Sequence, residues 1–153
     1  MDPVSFHPDT TERFFKRLEG PANATDGELS AVNMQRLQEC FGAIARGDFE
    51  AVAALTAEEV EMELSGPPLL PIFGQWKGRH EVNAAARANY AALAEQKAEL
   101  LAMTAYGDHI VVIGREQGRV RATETAYDVH WSQQFTFRDG LIVRIRGVCA
   151  VAV

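Results

Sequence analysis

The sequence is short of cysteine, of basic charge and of long apolar runs, and each shortage excludes something. Only two cysteines, Cys40 and Cys149, occur in 153 residues, too few for the disulfide framework of a small secreted scaffold. Both stand in apolar stretches, which reads as buried thiols in a reducing compartment, and no His or Lys lies near Cys40 in sequence to activate it. Lysine and arginine number 15 against 21 acidic residues, for a net charge of −6. Nucleic-acid binding needs a basic face. Here the cations are scattered, with Arg144 and Arg146 the nearest approach to a patch. No apolar run approaches the ~20 residues of a spanning helix, and no basic amphipathic stretch suits a membrane surface. The start, Met1-Asp2-Pro3-Val4-Ser5, lacks the basic and apolar regions of a signal peptide. The expected address is the cytoplasm, with neither nucleic acid nor membrane as partner. His7, His80 and His109 lie far apart without ligand spacing, so no metal is expected. A glycine-rich phosphate loop and a serine elbow are also missing, and no cofactor is expected.

What is present suits one globular domain: 47% hydrophobic and 24% charged residues are near the average for such chains. Residues 1–28 read as an accessory arm. Asp9-Thr10-Thr11-Glu12 starts a short helix carrying Phe14, Phe15 and Leu18, Gly20-Pro21 stops it, and Pro21 to Gly27 reads as loop. The main domain, 29–153, opens with a helix of about 16 residues in which Met34, Leu37, Phe41 and Ile44 recur at helical spacing. Gly47 suits its left-handed cap, and Asp48 caps a second, short helix. Glu59 to Leu64 then alternates strictly, a strand with Val60, Met62 and Leu64 inward and three glutamates outward.

Residues 65–75 carry three prolines' worth of disruption together with Leu69, Leu70, Ile72 and Phe73. Such a loop either plugs the core or forms a lid over a ligand. Gly78 opens a third helix with Val82, Ala86, Tyr90 and Leu93 on one face. Strands follow at 98–106 and 109–117 around Gly107-Asp108, and at 123–137. Asp139-Gly140 joins the last of these to a strand from Leu141. A strand of about fifteen residues must curl. The predicted fold is α+β: N-terminal helices packed on the concave face of a strongly curved, mixed, mainly antiparallel sheet, a cone-shaped α+β barrel.

This order of elements, with Gly47-Asp48-Phe49 after the first helix, resembles the nuclear-transport-factor-2-like superfamily. The runs Glu59 to Pro68, Gly74-Gln75-Trp76-Lys77-Gly78-Arg79 and Trp131 to Val143 resemble its SnoaL-like, ketosteroid-isomerase-like branch over about residues 30–150. The resemblance implies a small-molecule site, with isomerases, polyketide cyclases, epoxide hydrolases and non-catalytic binders among the relatives. It also implies where their catalytic groups fall. The isomerase carboxylate base falls on Leu64, with Glu63 adjacent on the opposite face. The phenol of the first helix falls on Cys40. The protonated Asp of the long strand, like the cyclases' acid–base Asp, falls on Gln133. Leu64 cannot take a proton and an amide does not titrate usefully, so those two reactions are not expected by the known routes.

Parity places Trp131, Gln133, Phe135 and Phe137 on one face of the long strand and Asp128, His130, Ser132 and Gln134 on the other. Gln133 is a candidate hydrogen-bond donor to a ligand carbonyl or a plain polar corner. His130 and Glu63 are candidate acid–base groups only if they face the interior. The expected ligand-binding set is Cys40, Leu64, Phe73, Trp76, Tyr90, Trp131, Gln133, Phe135 and Ile145. Arg79 would serve an anionic ligand group or a nearby glutamate. The function expected is a cytoplasmic homodimer that binds a small apolar or aromatic molecule and acts on it, if at all, without cofactor. The alternative is a non-catalytic dimeric interaction domain.

Overall fold

Amphipathic spacing builds the helical layer. The computed structural model describes residues 24–152, and the arm with Phe14 and Phe15 lies outside the described residues. Helix α1 (Ala24–Arg46) buries Met34, Leu37 and Phe41 and exposes Arg36 and Glu39. It starts earlier than expected, so Ala24–Gly27 is helical rather than loop. Glycine disfavours helix, but the next turn is anchored by buried Ser30 and Asn33, and that packing decides. Gly47 closes α1 with φ +69°, and the Asp48 side chain accepts from the Ala51 amide at 3.2 Å to cap α2 (Phe49–Ala54).

Strand β1 (Thr56–Ser65) turns Val60 and Met62 into the core. A four-residue strand, β2 (Gly74–Lys77), pairs antiparallel with it. This strand was not anticipated, because its pairing comes from the free edge of β1 rather than from any pattern of its own. Helix α3 (Arg79–Ala92) follows Gly78 at φ +89°, and Glu81 accepts from the Lys77 amide at 2.9 Å. The remaining strands are β3 (Leu93–Tyr106), β4 (His109–Val120), β5 (Ala126–Arg138) and β6 (Leu141–Val151). β3 emerges directly from α3, five residues before the predicted start. Its first half is polar and half-buried, so the alternation that marks a strand is missing there. The β5–β6 turn has positive φ at both Asp139 and Gly140, +52° and +77°, as a tight two-residue hairpin turn requires.

The six strands form one open sheet in the order β2-β1-β6-β5-β4-β3. Only β1 with β6 is parallel. The helices lie on its concave side, and the core sits between them: Leu37, Phe41, Phe49, Val52 and Val82 meet Val60, Val112, Phe135 and Ile142. Phe41 meets Phe135 edge-on, with ring centroids 5.7 Å apart. None of the described helices is long and apolar enough to cross a membrane.

Leu37 is fully buried while Leu29 on the same helix is 55% exposed. Leu37→Ala is expected to destabilise the protein by about 2–5 kcal/mol in urea unfolding, whereas Leu29→Ala changes stability by less than about 0.5 kcal/mol.

Candidate functional site

Strand register sorts the concave face into rows. Met62, Ile145, Phe135 and Ile110 form one row. Leu64, Gly147, Gln133 and Val112 form the next, then Cys149, Trp131 and Gly114, then Val129 with Glu116, then Tyr127 with Gly118. Between these rows and the helices lies a two-lobed cavity. The inner lobe, of about 90 Å³, is lined by Cys40, Val52, Asn83, Phe135 and Ile145. The outer lobe, of about 190 Å³, is lined by Phe73, Tyr90, Gln96, Glu116, Trp131 and Cys149. Leu64, Met62 and Gln133 border both. The apolar loop 66–73 is a wall of the outer lobe. Leu70 is buried among Leu93, Tyr127 and Val129, Ile72 and Phe73 pack against that cluster, and Asn89 donates to the Ile72 carbonyl at 3.3 Å.

The structure thus brings Cys40, Leu64, Phe73, Tyr90, Trp131, Gln133, Phe135 and Ile145 to the cavity. Trp76 stays outside. It continues the Met62 row on the edge strand β2, packs half-buried against the core there, and borders a separate shallow groove with Glu61, Glu63 and Arg144. The two acid–base candidates also lie outside. Glu63 is half-buried on the outer face, 3.6 Å from Arg146, and His130 is exposed between Arg115 and Ala150. The period-two alternation of uninterrupted strands at both positions puts them there. Arg79 serves neither role suggested for it: its Nε and Nη2 both donate to the Thr56 carbonyl, at 3.1 and 2.7 Å, tying α3 to β1.

The residue that sequence reasoning missed is Glu116. It is 9% exposed and lines the outer lobe. Gln96 Nε2 donates to its Oε1 at 2.9 Å and the Tyr127 hydroxyl to its Oε2 at 2.7 Å. Burial pushes the carboxyl above its ordinary range, against the two hydrogen bonds that favour the ionised form. Burial first, and then Glu116 itself, push the Tyr127 hydroxyl upward. The same two causes raise the Cys149 thiol to about 11, and burial alone raises Cys40 to about 12, so neither thiol is poised as a nucleophile. The signal for Glu116 was present: it shares strand parity with the apolar Ile110 and Val112.

Glycines make room for the large side chains. A Cβ on Gly114 would strike the Trp131 ring, and one on Gly118 would strike the Glu95 carbonyl oxygen and the Tyr127 phenol, with its Oη at 2.6 Å and Cζ at 2.8 Å. Among the described residues, Trp131 Nε1 and Asn83 Oδ1 are buried without a hydrogen-bond partner, each a strain of the kind a polar ligand group relieves. Among the described residues, no group of three or more His, Cys, Asp or Glu is placed to hold a metal ion. On the opposite, outer face, Arg115 grips Asp128 through two bonds of 2.9 and 2.6 Å, which hold that carboxyl down at about 2.

Helices followed by an open six-stranded mixed sheet define the nuclear-transport-factor-2-like α+β cone. Within that class the chain belongs to the SnoaL-like domain family, whose model matches residues 37–145. A nuclear-transport-factor-2-like protein from Burkholderia xenovorans LB400 is similar at 24% identity, covering 78% of this chain and 90% of its own, with TM-score 0.68. A protein described as a SnoaL-like polyketide cyclase from Jannaschia sp. CCS1 is 14% identical over 85% of this chain and 91% of its own, with TM-score 0.70. The LEH-like epoxide hydrolase of M. tuberculosis is 14% identical over 78% of this chain and 84% of its own, with TM-score 0.63. Comparison with curated proteins finds no match.

Gly114→Ala is expected to displace the Trp131 indole and cost about 1–3 kcal/mol. In a Trp76→Phe background, which leaves Trp131 the only one of the two tryptophans, a shifted emission maximum reports the displacement.

Proposed function

We propose that the chain binds a small, mostly apolar or aromatic molecule in the two-lobed cavity, without cofactor. The observation that carries this reading is that Gln133 lines both lobes, an amide among aromatic and aliphatic walls. Ligand sites are mostly apolar with a few convergent polar groups, and a dry cavity of about 150 Å³ suffices to hold benzene. Among the described residues, the Gln133 side chain makes no hydrogen bond to protein, and Trp131 and Asn83 each hold a polar atom in want of a partner. Structural neighbours described as a polyketide cyclase and an epoxide hydrolase support a small-molecule site. Leu64 and Gln133, standing where the resemblance puts the isomerase carboxylates, argue for binding over that chemistry.

Isopropylbenzene is the simplest probe. Wild type is expected to bind it by isothermal titration calorimetry, and Leu64→Trp, which fills the junction of the lobes, to lose at least about tenfold in affinity. Unaltered binding in a folded Leu64→Trp protein would refute occupancy of this cavity.

The protein is proposed to work as a homodimer through the outer sheet face. There Ala102, Ile113, Ser132 and Val148 line up across four strands, with Ile113 42% and Val148 59% exposed and Leu101 close by at 46%. Exposed apolar side chains grouped in this way support an interaction surface there. Ile113→Glu with Val148→Glu is expected to convert a dimer into a monomer in sedimentation analysis. A wild-type monomer at micromolar concentration speaks against the dimer.

A further inference from the structure

Among the described residues, the outer lobe is lined by one carboxyl and by no Lys, Arg or His, yet Glu116 is buried there with both oxygens held. A buried carboxylate needs a cation or a full set of donors, and failing these it keeps its proton. Among the described residues, the groups around it supply no cation. Tyr127 from β5 and Cys149 from β6 are acids whose own ionisation its charge opposes. Gln96 from β3 is neutral. Glu95 beside it is tied to Arg119 at 3.3 Å on the surface, and the nearest titratable group of α3 on the lobe is Tyr90. Register adds a second donor: Trp131 lies opposite Gly114, diagonal to Glu116 on the same concave face, with Nε1 unsatisfied.

We propose, building on the ligand-binding reading above, that Glu116 is the hydrogen-bond acid of the cavity, presenting its carboxyl O–H to a carbonyl or other acceptor oxygen of an uncharged, mostly apolar ligand. Gln96 and Tyr127 are positioning residues, fixing the two carboxyl oxygens so that the proton is directed into the lobe. Gly114 and Gly118, on either side of Glu116 along β4, let the Trp131 and Tyr127 rings stand beside it. The ligand class follows from this. A neutral acid rewards an acceptor oxygen, whereas an ionised carboxylate would reward an ammonium group.

Three probes of matched shape separate these cases: isopropylbenzene, acetophenone and 1-phenylethylamine, titrated from pH 5 to pH 9. Wild type is expected to favour acetophenone over isopropylbenzene by about tenfold at pH 5. The preference shrinks as pH rises and Glu116 ionises. Glu116→Gln, whose amide donates at every pH, keeps the preference throughout, and Glu116→Leu abolishes it. Stability gives an independent reading. Because the folded carboxyl titrates above its usual 4.5, the stability it supports is complete below that value and declines as pH rises through the folded titration. Wild type therefore loses ground to Glu116→Gln with rising pH in urea unfolding, a comparison that stands even if Glu116→Leu fails to fold.

Equal affinity for acetophenone and isopropylbenzene in wild type overturns the proposal while leaving the cavity reading intact. Preference for 1-phenylethylamine, lost in Glu116→Gln, overturns it in favour of a carboxylate that binds cations. Failure of all three probes to bind overturns both readings together.

Discussion

A sheet that curls enough to enclose a cavity crowds its own concave face, because side chains there converge as the strands bend. At three places the crowding is relieved by pairing a large side chain with a residue that has none. Trp131 stands opposite Gly114, Tyr127 opposite Gly118, and Gln133 opposite Gly147. A Cβ at any of the three would press on its neighbour: the indole, the phenol ring, or Leu64 Cδ2 at 2.7 Å. These absences hold the rows apart, and the rest of the site depends on them. Glu116 occupies the slot between two of the glycines, and the lobes meet where the third leaves room beside Gln133.

The helices complete the enclosure by a different means. The three helices are pinned at their ends by specific devices: the left-handed Gly47 that closes α1, the Asp48 cap of α2, and the Arg79 guanidinium of α3 on the Thr56 carbonyl. With their positions set there, the helices need not press down along their whole length. Phe41 touches Phe135 at the inner lobe, but towards Tyr90 and Phe73 the layers separate and the outer lobe opens. Polar groups gather where they separate. Buried polarity without a partner is costly, so Glu116, Gln96 and Tyr127 satisfy one another while Trp131 and Asn83 are left wanting.

Much of this fold was legible because strict alternation and turn chemistry are local. Val60-Met62-Leu64 and the Asp139-Gly140 turn announced themselves, as did the cap at Gly47-Asp48. What was illegible depended on neighbours. β2 is a strand because β1 offers it an edge, and the first half of β3 is a strand despite a polar sequence because β4 pairs along its length. At the site, parity was enough to place Trp131, Gln133 and Phe135 on the concave face. It did not place Trp76, whose edge strand was not foreseen. Glu116 was overlooked for a different reason: a charged residue on an inward parity reads as an exception, and only the Tyr127 and Gln96 contacts, which join three strands, show it to be a satisfied one.

The single parallel pairing has a kinetic meaning. β3 to β6 form a run of antiparallel neighbours that can zip from their turns, whereas β1 must find β6 across nearly the whole domain, Met62 meeting Ile145. Closing so long a loop carries a greater entropic cost than closing the hairpins, and Leu64 and Met62 border the cavity only once it is closed. The hollow therefore exists only while β1 is held against β6. A bound molecule, by holding β1 against β6, would act as a latch on the unfolding rate.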